Sequence, residues 1–439
     1  MAKRPENLIY GVDERPPLPV LLLLAMQHLF LMSSTLVLPV VLVREIGGSF
    51  DEVRAVVSLT MIACGVGTIL QAIRWRVLGS GFLCPNLAGP NFFAVSIEAA
   101  WLGGLPLMRG MIIAAGLVEA LFARVVHRIR FLFPPEITGL VVLMVAVGLI
   151  PLGTAKCFGI NYGGEPVRMM NLLIAALTVL TMVGFNLWGG GGLKLYSVLI
   201  GMACGYILSA AAGLLTVAQF EQVLEAPWLA LPVFKGMFTL DFRWNLLPAF
   251  AIVSITGALK SFGNLIMAEK VNDAEWREPD IRRIGGGLLA DSACVTLSGL
   301  IGGLASDTSA SNVALSSASG ATSRWIGYTA GGLFIILAFS PKISALLSIM
   351  PTPVMGAILV FVTCFMVMSG LQIILASGAG PRQAFVIGGA LIFGLSLEIL
   401  PSLYASFPYW LQPIFSSSLT LSTVLAVIFN QILRAKKTP

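Results

Sequence analysis

Fourteen apolar runs follow one another along this chain, near residues 18–43, 55–73, 92–102, 110–126, 136–152, 170–187, 195–216, 246–268, 285–301, 312–321, 326–340, 353–370, 383–400 and 415–433. About twenty apolar residues in a helix cross the hydrocarbon core of a bilayer. A backbone in lipid must also satisfy its own hydrogen bonds, which leaves helices or a closed barrel. Runs of this length read as helices, so the expectation is an all-α polytopic membrane protein. Two runs, 92–102 and 312–321, are too short to cross alone. Each follows a polar stretch, CPNLAGPNF at 84–92 and ASDTSASN at 305–312. Each is read as a short extended piece followed by a half-helix, placing broken helices at the third and tenth segments. Irregular backbone at membrane depth survives only where it is buried in protein or lines a wet cavity. Interrupted helices in the two halves of a chain point to a transporter's binding site. The stretch Ala305–Gly320 is therefore taken as the part around which the chain is organised.

Charged residues make up 11% of the chain, against about 25% in soluble domains, and the mean hydropathy is +0.91. The net charge of +6 is no nucleic-acid footprint, because the basic residues sit at the ends of apolar runs. There they carry topology information. With the N-terminus inside, 18 of the 27 lysines and arginines lie in inner patches and 8 in outer ones, with Lys260 inside a span. Both tails are then cytoplasmic. The six cysteines, Cys64, Cys84, Cys157, Cys204, Cys294 and Cys364, lack metal-ligand spacing and read as small buried hydrophobes. The polar N-terminus runs into the first span with no cleavable signal evident.

The halves of the chain resemble each other. Phe133-Pro-Pro-Glu-Ile-Thr-Gly139 and Met350-Pro-Thr-Pro-Val-Met-Gly356 open two spans 350 − 133 = 217 residues apart, and Gly110 and Gly327 are separated by the same offset. At that offset Ala88–Ser96 maps onto Ala305–Val313. An internal repeat of seven segments is odd, so its copies must be inverted, a 7+7 inverted repeat. The alternative is chance matching of Gly and Pro in apolar sequence.

Lys260 is the most informative single residue. A cation at mid-bilayer costs about 2.5–3.5 kcal/mol and is usually paired or functional. Asp307, in the second break, is the expected partner, and Lys260 is expected to face the substrate cavity rather than snorkel toward Glu269 and Lys270. Asn91 and Asn312 also lie in the breaks. The half-helices present their N-terminal N–H groups and positive dipole ends to acceptors on a ligand. Phe92 and Phe93 follow the first break and would stack on a flat ligand, or else simply pack. Gln27 and His28, in the first span, line the cavity or bond between helices; a His28 buried beside water would titrate near neutral pH. There is no Walker loop and no nucleophile–base pair, so ATP-driven transport by this chain alone and enzymatic activity are both disfavoured. No cofactor is expected, and the coupling ion, H+ or Na+, is left open.

These residues carry a resemblance. Gln27-His-Leu-Phe is similar to the Gln-His motif of the nucleobase–ascorbate transporter family, the second nucleobase:cation symporter family of xanthine and uracil permeases. Phe133-Pro-Pro-Glu-Ile-Thr-Gly139 resembles its fifth span, Arg283-Ile-Gly-Gly-Gly-Leu-Leu-Ala-Asp291 its ninth, and Ser311-Asn-Val-Ala-Leu-Ser-Ser-Ala-Ser-Gly320 its signature. The resemblance implies a core domain (18–135 and 246–340) moving against a gate domain (136–216 and 341–433), with an extracytoplasmic loop at 217–245 and cytoplasmic tails at 1–17 and 434–439. It implies a homodimer in a bacterial inner membrane, with substrate between the broken helices and the eighth span. It also implies substrate contacts at Lys260, Phe92, Ser311 and Asn312. The chain departs from the family at the site: Lys260 stands where the family has Glu, Ser311 where it has Gln, and Ala314 where it has Gly. Loss of those contacts suggests a substrate with more acceptors or negative charge, such as urate, and puts proton coupling in doubt. The expectation is a secondary transporter of a small planar nucleobase-like substrate such as xanthine, uracil or urate. The alternatives are a small-anion transporter or exchanger on the same fold, and a non-transporting receptor or scaffold.

Overall fold

The computed structural model describes all residues except 1–4, 6–7, 76, 130–133, 161–167, 234–237, 278, 377, 379, 401, 403, 405–414, 416 and 434–439. The expected C-terminal tail, Phe133 of the fifth-span motif and part of the N-terminal tail lie outside the described residues. The element order is α1 (Leu18–Ser33), α2 (Val37–Glu45), α3 (Phe50–Ala72), β1 (Asn86–Ala88), α4 (Pro90–Ile129), α5 (Pro135–Cys157), α6 (Met169–Trp188), α7 (Ser197–Ala211), α8 (Val217–Glu225), α9 (Leu247–Val271), α10 (Ile281–Ile301), β2 (Ser306–Thr308), α11 (Ala310–Ser319), α12 (Arg324–Ala338), α13 (Pro341–Ser348), α14 (Thr352–Ala376), α15 (Pro381–Ile399) and α16 (Ser418–Ile432).

Local chemistry sets these boundaries. Ser49 and Glu52 form a capping box that starts α3, and the Asp280 carboxylate accepts from the backbone N–H groups of Arg282 and Arg283 at the start of α10. Both satisfy donors that a helix start leaves orphaned. α4 is non-helical at Gly103 and Gly104, the latter at φ +68°, a conformation glycine adopts freely. The break separates the expected half-helix from the run after it.

Nine helices among the described residues are long and apolar enough to cross a membrane. A tenth is counted if α12 and α13, bent by 75°, form one span; α7 and α16 are shorter apolar helices. The architecture is thus a helical polytopic membrane fold, reached with fewer full-length rods than the apolar runs suggested. The extra segments are half-helices and short pieces. The expected loop at 217–245 contains α8, started by a capping box at Thr216 and Gln219.

The helices pack as two groups. α1, α3, α4, α9, α10 and α12 touch one another extensively, as do α5, α6, α7, α14, α15 and α16, with sparser contact between the groups. α5 and α14 meet through glycines: a Cβ on Gly139 would lie 2.7 Å from the Gly370 carbonyl oxygen, and one on Gly370 2.8 Å from that of Gly139. Small residues let membrane helices approach this closely. Gly370→Ala should therefore destabilise the protein by ~1–3 kcal/mol; an unchanged unfolding temperature in detergent would show that the helices part freely.

Two features differ from expectation. The half-helices α4 and α11 begin 310 − 90 = 220 residues apart, whereas α5 and α14 begin 352 − 135 = 217 apart. The equivalent of Pro90 is thus Ala310, and the first half carries three more residues between the start of α4 and that of α5 than the second half carries between α11 and α14. The N-terminal segment is also no free tail. Its Ile9 N–H donates to Gly320 O (2.7 Å), while Thr322 N–H donates to Tyr10 O (2.9 Å) and Arg324 N–H to Val12 O (2.9 Å). It is laid along the turn between α11 and α12. All six cysteines are free, and Cys64, Cys84 and Cys294 are buried, but Cys364 is exposed on α14, against the expectation of burial.

Candidate functional site

The two breaks meet as a two-stranded antiparallel sheet, pairing Asn86 with Thr308, Leu87 with Asp307 and Ala88 with Ser306. Prolines 85 and 90, with Gly89 between β1 and α4, keep the first strand short. Two α3 threonines serve the flanking backbone: Thr68 Oγ1 accepts from Asn86 N–H (3.0 Å) and Thr60 Oγ1 from Leu304 N–H (2.9 Å). Extended backbone is thus held inside a helical bundle with its polar groups satisfied.

Asp307 lies at the centre, 1% exposed, and Lys260 Nζ reaches its Oδ2 at 3.0 Å from α9. Asn91, in the first turn of α4, donates its Nδ2–H to the same oxygen at 2.8 Å. The positive end of the α4 dipole adds to this stabilisation of the carboxylate. Lys260 is 27% exposed, so the pair is closed on the Asp307 side and open on the ammonium side. Asp307 Oδ1 is buried and has no hydrogen-bond partner among the described residues.

A second cluster joins α1 to α11. His28 Nδ1–H donates to Asn312 Oδ1 at 2.8 Å, and Asn312 Nδ2–H donates to Ser309 Oγ at 3.0 Å. Ser309 Oγ also accepts from the Asn312 N–H, capping α11. His28 is 1% exposed and Asn312 0%, so here the pair fastens the two helices together. Gln27 is half-buried beside it, and Ser311 is exposed on α11. Phe92 and Phe93 differ from the stacking expectation. They are 1% and 0% exposed, and Phe92 packs beside Gly257 of α9, so in this structure both rings are core.

The structure therefore brings Lys260, Asp307 and Asn91 together, and separately His28 and Asn312. Behind the first group lies a network that sequence reasoning did not name. The Ser261 hydroxyl donates to Asp291 Oδ2, and Asn86 Nδ2–H donates to Asp291 Oδ1 at 2.7 Å. Thr308 Oγ1–H donates to Ser261 Oγ at 2.7 Å, while Asn264 Nδ2–H donates to Thr308 O (3.1 Å) and Oγ1 (3.0 Å). The available signal was a carboxylate, Asp291 or Glu119, inside an apolar run. A cavity of about 1220 Å³ lies between α4 (Ala94, Glu98, Trp101), α5 (Met144, Leu149) and α16 (Ser418). Ala94 is one helical turn beyond Asn91, so the cavity starts close to the ion pair without including it.

A family model, Xan_ur_permease, described as Permease family, matches residues 20–403. The chain belongs to this permease family. The permease is 27% identical to "Xanthine permease XanP" of Escherichia coli (strain K12), covering 98% of this chain and 96% of that protein. It is 28% identical to "Uric acid permease PucJ" of Bacillus subtilis (strain 168), covering 94% and 93%. Among solved structures, the permease resembles the transmembrane domain of a cyanobacterium bicarbonate transporter, BicA, with a TM-score of 0.59 at 14% identity over 96% of this chain and 98% of that one. It resembles the murine Slc26a9 anion transporter in the inward-facing state with a TM-score of 0.61 at 9% identity, over 96% of this chain and 69% of that one. At these identities the structures speak for the fold alone.

Proposed function

We propose that the permease is a secondary transporter of a small planar nucleobase such as xanthine or uric acid, working by alternating access. The observation that carries this is the pairing of Lys260 with Asp307 at the meeting point of the two breaks, in a member of this permease family. The pair has no net charge. It offers ammonium protons on its open side and an unused acceptor, Asp307 Oδ1, on the other. A purine carries ring N–H donors and carbonyl acceptors, so a carbonyl can draw the Lys260 ammonium on its open side while a ring N–H takes the place that Lys260 leaves at Asp307 Oδ2. A small inorganic anion would use only the ammonium, and would have to compete with Asp307 for it. The pairing therefore weakens the argument for an anionic substrate that an isolated lysine would support.

Fourteen segments form a 7+7 inverted repeat, counting both halves of α4, α7, α11, α12 and α16 alongside the eight other long helices. The group containing α1, α3, α4, α9, α10 and α12 is the core, and the group around α5 and α14 is the gate. The core slides against the gate in an elevator-like movement, supported by the sparse contact between them. The protein acts in a bacterial inner membrane as a homodimer with both ends in the cytoplasm. Substrate contacts fall to Lys260, Asp307, Asn91, Ser311 and Gln27, with His28 and Asn312 holding α11 in place.

Uptake of labelled xanthine, urate and bicarbonate into proteoliposomes tests this. Purine uptake is expected, and bicarbonate flux without purine flux would favour the anion reading. Thermal stabilisation by a purine with no flux would favour a receptor. Lys260→Met should weaken apparent purine affinity about 10- to 100-fold, the loss of one charged hydrogen bond of ~1.5–3 kcal/mol. Unchanged KM would place Lys260 outside the site.

A further inference from the structure

Glu119 is a carboxylic acid in the middle of α4, 1% exposed, and neither of its oxygens meets a donor among the described residues. The helix register shows what it faces. A Cβ on Gly116 would sit 2.2 Å from Thr296 Oγ1, and one on Gly299 2.8 Å from Ile113 Cγ1, so α4 and α10 run antiparallel and in close contact. That register brings Glu119 to the level of Asp291, the carboxyl it faces across the interface. On its other side, the Ser254 hydroxyl of α9 donates to Ala115 O at 2.6 Å, which puts Glu119 near the depth of Ala258 and one turn from Ser261.

Charge balance sets the chemistry. Three carboxyls, Glu119, Asp291 and Asp307, occupy this region, and among the described residues Lys260 of α9 is the cation that faces Asp291 and Asp307. The other titratable neighbours are thiols: Cys64 of α3, Cys84 before β1, and Cys294 of α10. Three carboxylates against one ammonium would leave two uncompensated negative charges in the bundle interior, which is strongly unfavourable. Asp307 has Lys260 and Asn91 as donors, and Asp291 has Ser261 and Asn86. Glu119 has none of its own, so it is the group that holds a proton and shares it with Asp291.

We propose that Glu119 and Asp291 form a two-carboxyl proton-binding site behind the Lys260–Asp307 pair, and that its proton is the ion coupled to substrate. The coupling half rests on the transport reading above; the site itself does not. The connection is short. Neighbouring residues on α9, Lys260 and Ser261, meet neighbouring residues on β2, Asp307 and Thr308, and Ser261 continues to Asp291. When a substrate draws the Lys260 ammonium away, Asp307 and the carboxyl pair lose countercharge, and a second proton, from water, binds to the carboxylate of the pair that is still ionised, Asp291. Because such linkage is reciprocal, substrate and proton bind together, the requirement for symport in the same direction. In this chain the pair would perform the loading that a carboxylate at position 260 would otherwise do.

The test has two readouts. The infrared spectrum of the full-length protein in detergent at neutral pH should contain a protonated-carboxyl C=O band. Isotope labelling of glutamate side-chain carboxyls should shift it, and Glu119→Gln should remove it. The labelling needs no variant, so the site remains testable if Glu119→Gln fails to fold. A spectrum without a label-sensitive band, or one unchanged in Glu119→Gln, would overturn the site. In proteoliposomes, wild-type accumulation of xanthine should follow an inward acid gradient. Glu119→Gln should still exchange labelled for unlabelled xanthine but lose the gradient-driven accumulation, at least tenfold. Accumulation that follows sodium instead of pH, or persists in Glu119→Gln, would overturn the coupling. A label-sensitive band in a protein that moves no purine would uphold the site and overturn the transport reading.

Discussion

Asp307→Ala is expected to destabilise the permease by about 3–5 kcal/mol and to abolish purine uptake, while the double variant Asp307→Ala/Lys260→Met recovers much of the stability and none of the transport. A paired buried ion is often no better than a well-packed apolar replacement, but a buried ion stripped of its partner is strongly unfavourable. Asp307 is 1% exposed and holds Lys260 at 3.0 Å and Asn91 at 2.8 Å. Removing it leaves an ammonium at membrane depth and an amide without an acceptor. Lys260 retains 27% exposure, so water relieves part of the cost, and the loss should fall toward the lower end of the range. Unfolding in detergent of the two single variants and the double variant gives the coupling energy directly. Strictly additive losses would show that the two charges do not stabilise one another.

Lys156→Met should cost a comparable ~3–5 kcal/mol, because its partner lies deeper still. Lys156, in the last turn of α5, forms an ion pair with Glu45 at the end of α2, and their side chains are 5% and 2% exposed. A lysine suits a helix C-terminus and a glutamate does not, so Glu45 needs its cation more than Lys156 needs its anion. The adjacent Arg44 donates through Nη1 to Met350 O at 2.6 Å and through Nη2 to Ser348 O. The end of α2 is thereby fastened at once to α5 and to the turn before α14. Glu45→Gln, which keeps the shape, should be milder than Lys156→Met, and the double variant should recover part of the loss. If core and gate slide past each other, these bonds break in each cycle, so the variants should also change the transport rate. A Lys156→Met protein with unchanged unfolding temperature would show that Glu45 finds another partner.

Much of this site was legible as an anomaly and little of it as geometry. Lys260 and Asp307 stand out because ionisable residues are rare in apolar runs, and the two polar breaks stand out because lipid does not tolerate open backbone. Partners are another matter. Glu119 was passed over because one carboxylate among apolar residues says nothing of what it faces, and Asp291, more than 170 residues away, becomes its neighbour only through the packing of α4 on α10. Phe92 looked like a stacking platform because of its place at the break, and is instead buried beside Gly257 of α9. The repeat offset held at α5 and α14 but slipped by three at the breaks, since glycine and proline matches are blind to short insertions between elements.

Hydropathy along the chain was enough to determine a helical membrane protein interrupted twice by polar backbone, because the free energy of placing a residue in hydrocarbon depends mainly on that residue and its immediate neighbours. Asp307 was already the partner expected of Lys260, and the two meet at 3.0 Å; only the folded arrangement decided that His28 fastens α11 through Asn312 and that Glu119 is left facing Asp291. Those outcomes depend on distances between segments far apart in the chain. At separations of a few ångströms in a poorly polarisable interior, such distances decide whether a charge is balanced.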